Sequence, residues 1–302
     1  MTETTAPLPG SRLTQTQVGT LQMLVGTVII SFSAVFVRLA HVGPTASGFY
    51  RVFFGALFLL AVVLIKRQRL WRGWTPLWLA VAAGILFSAD LISWHRSILY
   101  LGPGLATILA NFQVFFLAAI GVIVFKERIS WRLLVAIPLA VVGLFLLVGV
   151  DWEDFDSRYR AGVWLGLFCA VMYTFYLLIL RRSQMRDVRL KPTANLAIIS
   201  IVTAAILGPA GYLQGDKFAI TDAQTAWSML ALGVLCQAIG WIVISWAVTR
   251  IEASRVGLLL LLQPTLTFVW DILFFGRTTT TMEILGALLT IAAIYFGSTR
   301  KR

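Results

Sequence analysis

Asp90 stands inside an otherwise apolar stretch, and Trp94 follows one helical turn later on the same face. A carboxylate in such surroundings is costly unless it is paired or wet. It can hold an ammonium group or a proton, and the indole beside it can stack on a ligand. The plainer alternative is a hydrogen bond to a neighbouring helix. Gln237 and Trp241 repeat the polar–aromatic spacing, followed by Ser245. Thr107 and Asn111 also share a face, as do Gln263, Thr267 and Asp271. That last line starts beside Pro264, whose missing N–H frees a carbonyl one turn earlier and makes a joint there. Gln113 lies about 200° round the helix from Asn111, so both cannot face one site, and Asn111 is the expected member. Trp164 and Tyr173 belong to an aromatic stretch with Phe168, Phe175 and Tyr176. Such a stretch can wall a ligand, or can pack and anchor at a membrane interface. Arg51 is expected to pair with a polar neighbour, to snorkel outward, or to meet a carboxylate. His95 and Arg96 are expected to reach for the interface.

These groups suit binding better than catalysis. The only histidines are His41 and His95, and the two cysteines, Cys169 and Cys236, sit in separate apolar blocks. They form no metal-ligand spacing and no disulfide framework. No glycine-rich phosphate loop of the Walker type is present. An enzyme reading therefore has little support, and no cofactor and no metal are expected. An amphipathic small molecule fits better. Its ammonium can meet Asp90, and its carboxylate Gln237, Asn111 or Gln263.

The elements that must position these residues follow from composition. The 302 residues are 59% hydrophobic and only 13% charged. The apolar residues come in blocks of roughly 17–25, the length a helix needs to cross a bilayer. A membrane barrel would alternate in polarity over roughly 10-residue segments, and these blocks do not. The expectation is an all-α integral membrane protein with ten spans. They cover residues 20–40, 45–65, 76–98, 104–125, 132–150, 161–180, 193–213, 227–249, 254–275 and 283–298. A polar tail with Pro7 and Pro9 precedes them over 1–18, with no cleavable signal, and two units follow at 19–150 and 151–302. The net charge of +12 lies between the apolar blocks, so it sets orientation and does not point to nucleic acid.

The layout from Trp94 to Val150 returns 150 positions later without gaps: Gln113 matches Gln263, Phe125 matches Phe275, and Ala140 matches Thr290. The third and eighth spans match at 149, as in Gly84 with Gly233. Five spans per unit is an odd number, so the second unit enters the membrane from the opposite side. Putting the N-terminus in the cytoplasm places 18 of the 25 Lys and Arg residues inside and 5 outside, with both termini inside; the acidic loop Asp151–Asp156 falls outside. Inverted repeats of this kind give one central site two symmetry-related access routes. Ala136, Ala140, Gly286 and Thr290 form small-xxx-small faces that brace the scaffold or make a weak dimer contact.

The run from Arg96 to Gly149, with its hinge Lys126-Glu127-Arg128, resembles the second half of an EamA unit. Phe49-Tyr50-Arg51 followed by Gly55-Ala56-Leu57 is similar to the family's Arg-containing second span. The family's hinge is Gly-Glu-Arg-like, so Lys126 replaces the usual glycine. EamA units build the drug/metabolite transporter superfamily, and two of them cover nearly the whole chain. The aromatic-rich spans also resemble the YddG-type exporters of aromatic amino acids. The resemblance implies ten helices as two inverted-topology five-helix repeats. It further implies a central cavity lined by spans one, three, four, six, eight and nine. The resulting expectation is a multi-pass inner-membrane exporter of small molecules, surrounded by lipid, monomeric or weakly dimeric.

Overall fold

Long runs of Leu, Ile, Val, Phe and Ala in lipid leave the backbone one local way to pair its N–H and C=O groups, the helix. The computed structural model describes residues 14–101, 103–148, 157–185 and 190–298. Most of the 1–18 tail, the loop Asp151–Asp156, and the bases Arg12, Arg186, Arg189, Arg300, Lys301 and Arg302 lie outside the described residues. Among the described residues every regular element is helical. Eight helices are long and apolar enough to cross a membrane: α1 Gln15–Arg38, α2 Pro44–Ile65, α3 Trp74–Leu101, α4 Ala106–Ile123, α6 Ser157–Ser183, α7 Pro192–Leu213, α8 Ala223–Ala247 and α9 Ala253–Phe275. Two shorter apolar helices complete the set, α5 Trp131–Leu147 and α10 Thr281–Gly297.

The helices pair across the two repeats. α3 packs along α6, α1 along α8, α2 against α7, α4 against α9 and α5 against α10. The α5–α10 contact shows why small residues recur there. A Cβ on Gly286 would lie 2.5 Å from the Gly143 carbonyl oxygen, and one on Gly143 2.4 Å from Thr290 Oγ1. Thr290 donates to its own helix at Gly286 O (2.9 Å) and lies 3.3 Å from Ala140 O, its counterpart in the first repeat. The small-residue faces are therefore spent on each other within one chain.

The hinges after α4 and α9 are built alike. Lys126 and Gly276 both have positive φ, 53° and 60°. The Glu127 N–H closes the first turn onto Gly121 O at 2.8 Å, and the Arg277 N–H closes the second onto Asp271 O at 3.3 Å. α4 and α9 are each interrupted within one residue of the same place in the repeat, at Phe112 and Leu261. The Phe112 and Leu261 N–H groups bond three residues back, to Leu109 O and Leu258 O. The joint expected before Pro264 is thus present, and α4 has the same joint without a proline. α1 is interrupted at Phe32. α8 departs from the α-helix altogether over Leu232–Gly240, a π-helical stretch.

Candidate functional site

α3 supplies Phe87, α6 supplies Tyr173 and Tyr176, and α8 supplies Trp241. These four rings form one block deep in the bundle. Phe87 stacks on Tyr176 with centroids 4.7 Å apart, and Trp241 meets Tyr176 edge-on at 5.0 Å. Tyr173 lies 5.9 Å from Tyr176 and 6.1 Å from Trp241. Phe87, Tyr176 and Trp241 are among the largest fully buried side chains. Yet the Tyr176 hydroxyl and the Trp241 indole N–H have no hydrogen-bond partner. Buried donors of this kind are normally satisfied, and each orphan costs about 1–3 kcal/mol.

Charged groups flank the block. Asp90 is buried one turn beyond Phe87, and its Oδ1 accepts the Cys169 thiol at 2.8 Å. The Arg51 guanidinium lies 5.8 Å over the Phe87 ring. Arg51 Nε donates to Gln237 Oε1 at 3.0 Å, and Gln237 Nε2 donates to Ser200 Oγ at 3.2 Å. Arg51 and Asp90 thus set opposite charges beside the rings.

The structure distributes the sequence-predicted residues unevenly. Asp90, Tyr173 and Trp241 come together as described. Gln237 is fully buried but has both ends of its amide engaged, joining α2, α7 and α8 instead of facing an open site. Asn111 is buried, and its amide donates to Thr107 O at 2.8 Å, back into its own helix beside the α4 break. Gln113 is also buried, and its Oε1 lacks a partner. Gln263 is half-buried at the matching point of α9. Trp94 is half-buried, with its ring 5.3 Å from that of His95.

Two expectations are corrected. Trp164 is 72% exposed on the outside of the bundle with Phe168 and Phe175, because α6 turns its Gly166–Cys169–Tyr173–Tyr176 face inward. Trp164 therefore points away from the aromatic block. His95 does not reach the interface. α3 continues to Leu101, so His95 stays buried against Gly48 with Nδ1 unpaired. Arg96, beside it, is exposed.

Sequence reasoning missed Phe87 and Cys169 as members of this centre. Phe87 stands i, i−3 to Asp90 and Cys169 one turn before Tyr173, which is the only signal they leave. Among the described residues no group of three or more His, Cys, Asp or Glu is placed to hold a metal.

Both ends of the bundle are tied by carboxylates. Glu127, after α4, accepts the backbone N–H of Ala253 at 2.8 Å, the Ser254 hydroxyl at 3.1 Å and Arg181 of α6 at 3.3 Å. At the opposite end Asp271 of α9 pairs with Arg38 of α1 at 2.8 Å and lies 3.7 Å from Arg277.

Apolar helices in two repeated sets, closed at both ends around a polar and aromatic centre, define a multi-pass membrane protein of the carrier class. The chain belongs to the EamA-like transporter family, whose model matches residues 17–149 and again 160–299. This is a family of transporters and not of enzymes. The chain is 27% identical over 291 residues to the "Probable amino-acid metabolite efflux pump" of Salmonella typhimurium, covering 92% of this chain and 93% of that one. It is 30% identical over 167 residues to the threonine/homoserine exporter RhtA of Escherichia coli K12, covering 54% of this chain and 53% of RhtA. A solved crystal structure matches with a TM-score of 0.79 over 92% of this chain and 95% of its own, at 16% identity, which speaks for the fold alone.

Proposed function

We propose that the protein exports small amphipathic metabolites, foremost hydrophobic and aromatic amino acids, by alternating access around the aromatic block. The observation that carries this reading is the placing of two opposite charges, Arg51 over the Phe87 ring and Asp90 one turn beyond it, next to Phe87, Tyr173, Tyr176 and Trp241. A zwitterion needs an anion for its ammonium, and Asp90 is one. It needs a cation for its carboxylate, and Arg51 spends only Nε on Gln237. The apolar side chain lies against the rings, and the unpaired Tyr176 hydroxyl and Trp241 N–H supply further donors. Relatives named for efflux of amino-acid metabolites and of threonine and homoserine support the substrate class. The aromatic block favours larger side chains than theirs.

In this reading all ten helices cross the inner membrane, the two repeats are inverted, and both termini face the cytoplasm. The ties at Glu127 and Asp271 then close the two access routes in turn. Single cysteines at the exposed Ser130 and Thr280 test the arrangement, because they must label from opposite faces. Labelling from one face would end it.

Transport is read as downhill uniport. Proteoliposomes loaded with phenylalanine, tryptophan, threonine or a cationic dye test the whole. Faster efflux of the aromatic amino acids is expected, and transport of the dye alone would overturn the reading. A second reading, proton coupling through Asp90, is favoured by the burial of that carboxylate beside a lone thiol donor. It requires flux driven by a pH gradient and lost in Asp90→Asn.

A further inference from the structure

A recess lies where the ends of α6 and α8 meet the start of α7, one helical turn along α8 from Trp241. Its cavity has a volume of about 330 Å³. Lys191 and Arg250 line it with Gln184, Ser245, Trp246 and Thr249, and among the described residues no Asp or Glu lines it. Lys191 precedes the first turn of the 22-residue α7, with Pro192 at its start and no side chain capping that turn. The positive end of a helix and two cations therefore converge on one space. Arg250 is steadied by a hydrogen bond to Gln22 of α1. Ser245 lines the same space, is only 1% exposed, and its hydroxyl has no partner among the described residues. A buried hydroxyl without a partner is an unmet half of a hydrogen bond, and its residue lines the cavity that Lys191 and Arg250 also line. The lip is apolar and exposed: Trp246 is 45% exposed and Met185 37%.

We propose that this recess holds the phosphate of an anionic phospholipid, gripped by Lys191, Arg250 and Ser245, with its acyl chains running past Trp246 and Met185. A basic pocket between membrane helices at the headgroup level recognises anionic headgroups through charge. A free phosphate would use the same donors but would have no use for the apolar lip. The site shares no residue with the aromatic block, so it can be tested without a transport assay.

The test uses the full-length protein purified in neutral detergent, read by native mass spectrometry and thermal unfolding. The probes are phosphatidylglycerol, phosphatidylcholine and inorganic phosphate. Phosphatidylglycerol should be retained one per chain and raise the unfolding temperature, while phosphatidylcholine and phosphate do neither. Lys191→Gln, a change at an exposed side chain, should weaken phosphatidylglycerol retention about fivefold, and Lys191→Arg should restore it. Equal retention of both lipids would overturn the proposal, as would an equal shift from phosphate alone or undiminished retention in Lys191→Gln.

Discussion

Lys126 and Gly276, 150 residues apart, hold the same left-handed backbone conformation at φ 53° and 60°. The tight turn that joins the fourth helix of each repeat to its fifth demands this geometry. Glycine takes it without strain, and lysine carries a Cβ that crowds the backbone. The replacement of the family's glycine by Lys126 is therefore a strained position. Its compensation is charge: the lysine adds to the base-rich end of the bundle.

Lys126→Gly should raise stability by up to about 1 kcal/mol, because it removes that strain. Gly276→Ala should cost about 1–2 kcal/mol, although open space surrounds the site, because the cost is in the backbone alone. Thermal unfolding in detergent measures both. Opposite signs are expected, and matching signs would refute the shared strain.

Tyr176→Phe removes a buried hydroxyl that nothing in the protein satisfies. The empty protein should become more stable, by about 1 kcal/mol, while amino-acid efflux falls about tenfold. A drop in stability would mean that the hydroxyl is satisfied within the fold.

Gln237→Leu leaves Arg51 without its partner across α2 and α8 and frees Ser200. A loss of about 1–3 kcal/mol is expected, with an unfolding transition lowered before any effect on substrate affinity is read. Double-mutant cycles with Arg51→Met should show the two changes to be strongly non-additive.

The two end ties should differ in strength. Glu127 is nearly enclosed, its side chain 8% exposed, and it satisfies the first N–H groups of α9 as well as Arg181. Glu127→Ala should cost about 1–3 kcal/mol. The Arg38–Asp271 pair is half open to solvent, at 52% and 25%, so Arg38→Gln should cost about 0.2–1 kcal/mol and less at high salt. Unfolding at two ionic strengths compares them directly.

Asp222 caps the start of α8, outside the apolar helices. The Thr225 N–H first, then His41 and the Thr225 hydroxyl, hold its carboxyl down at about 2, below the ordinary 3.8. A lowered carboxyl contributes stability above the ordinary value and loses it as pH falls through the lowered one. Protection of the Thr225 amide from hydrogen exchange should therefore hold from pH 7 to about 4 and fall towards pH 2. Asp222→Asn should flatten that profile.

The helices were legible because apolar length is a property of composition, and the repeat was legible because both copies kept Gln113/Gln263 and Ala140/Thr290. The site was legible only in part. Asp90 stood out because a carboxylate in an apolar block is conspicuous. Phe87 did not, because a phenylalanine among leucines looks the same whether it packs or stacks. Trp164 was misassigned because periodicity gives a stripe without saying which stripe faces inward; the inward one is set by Gly162 and Gly166, which admit α3 and α4. Gln237 was recognised as a polar group without a visible partner, since Arg51 lies 186 positions away.

The wide stretch Leu232–Gly240 of α8 has one further consequence. Bonding five residues back fits more residues into each turn than bonding four back. Were the ladder to tighten there, the segment carrying Trp241 and Ser245 would swivel by about 100° for each residue absorbed, with the helix still intact at both ends. α8 thus holds slack coiled into its middle, beneath the Trp241 ring.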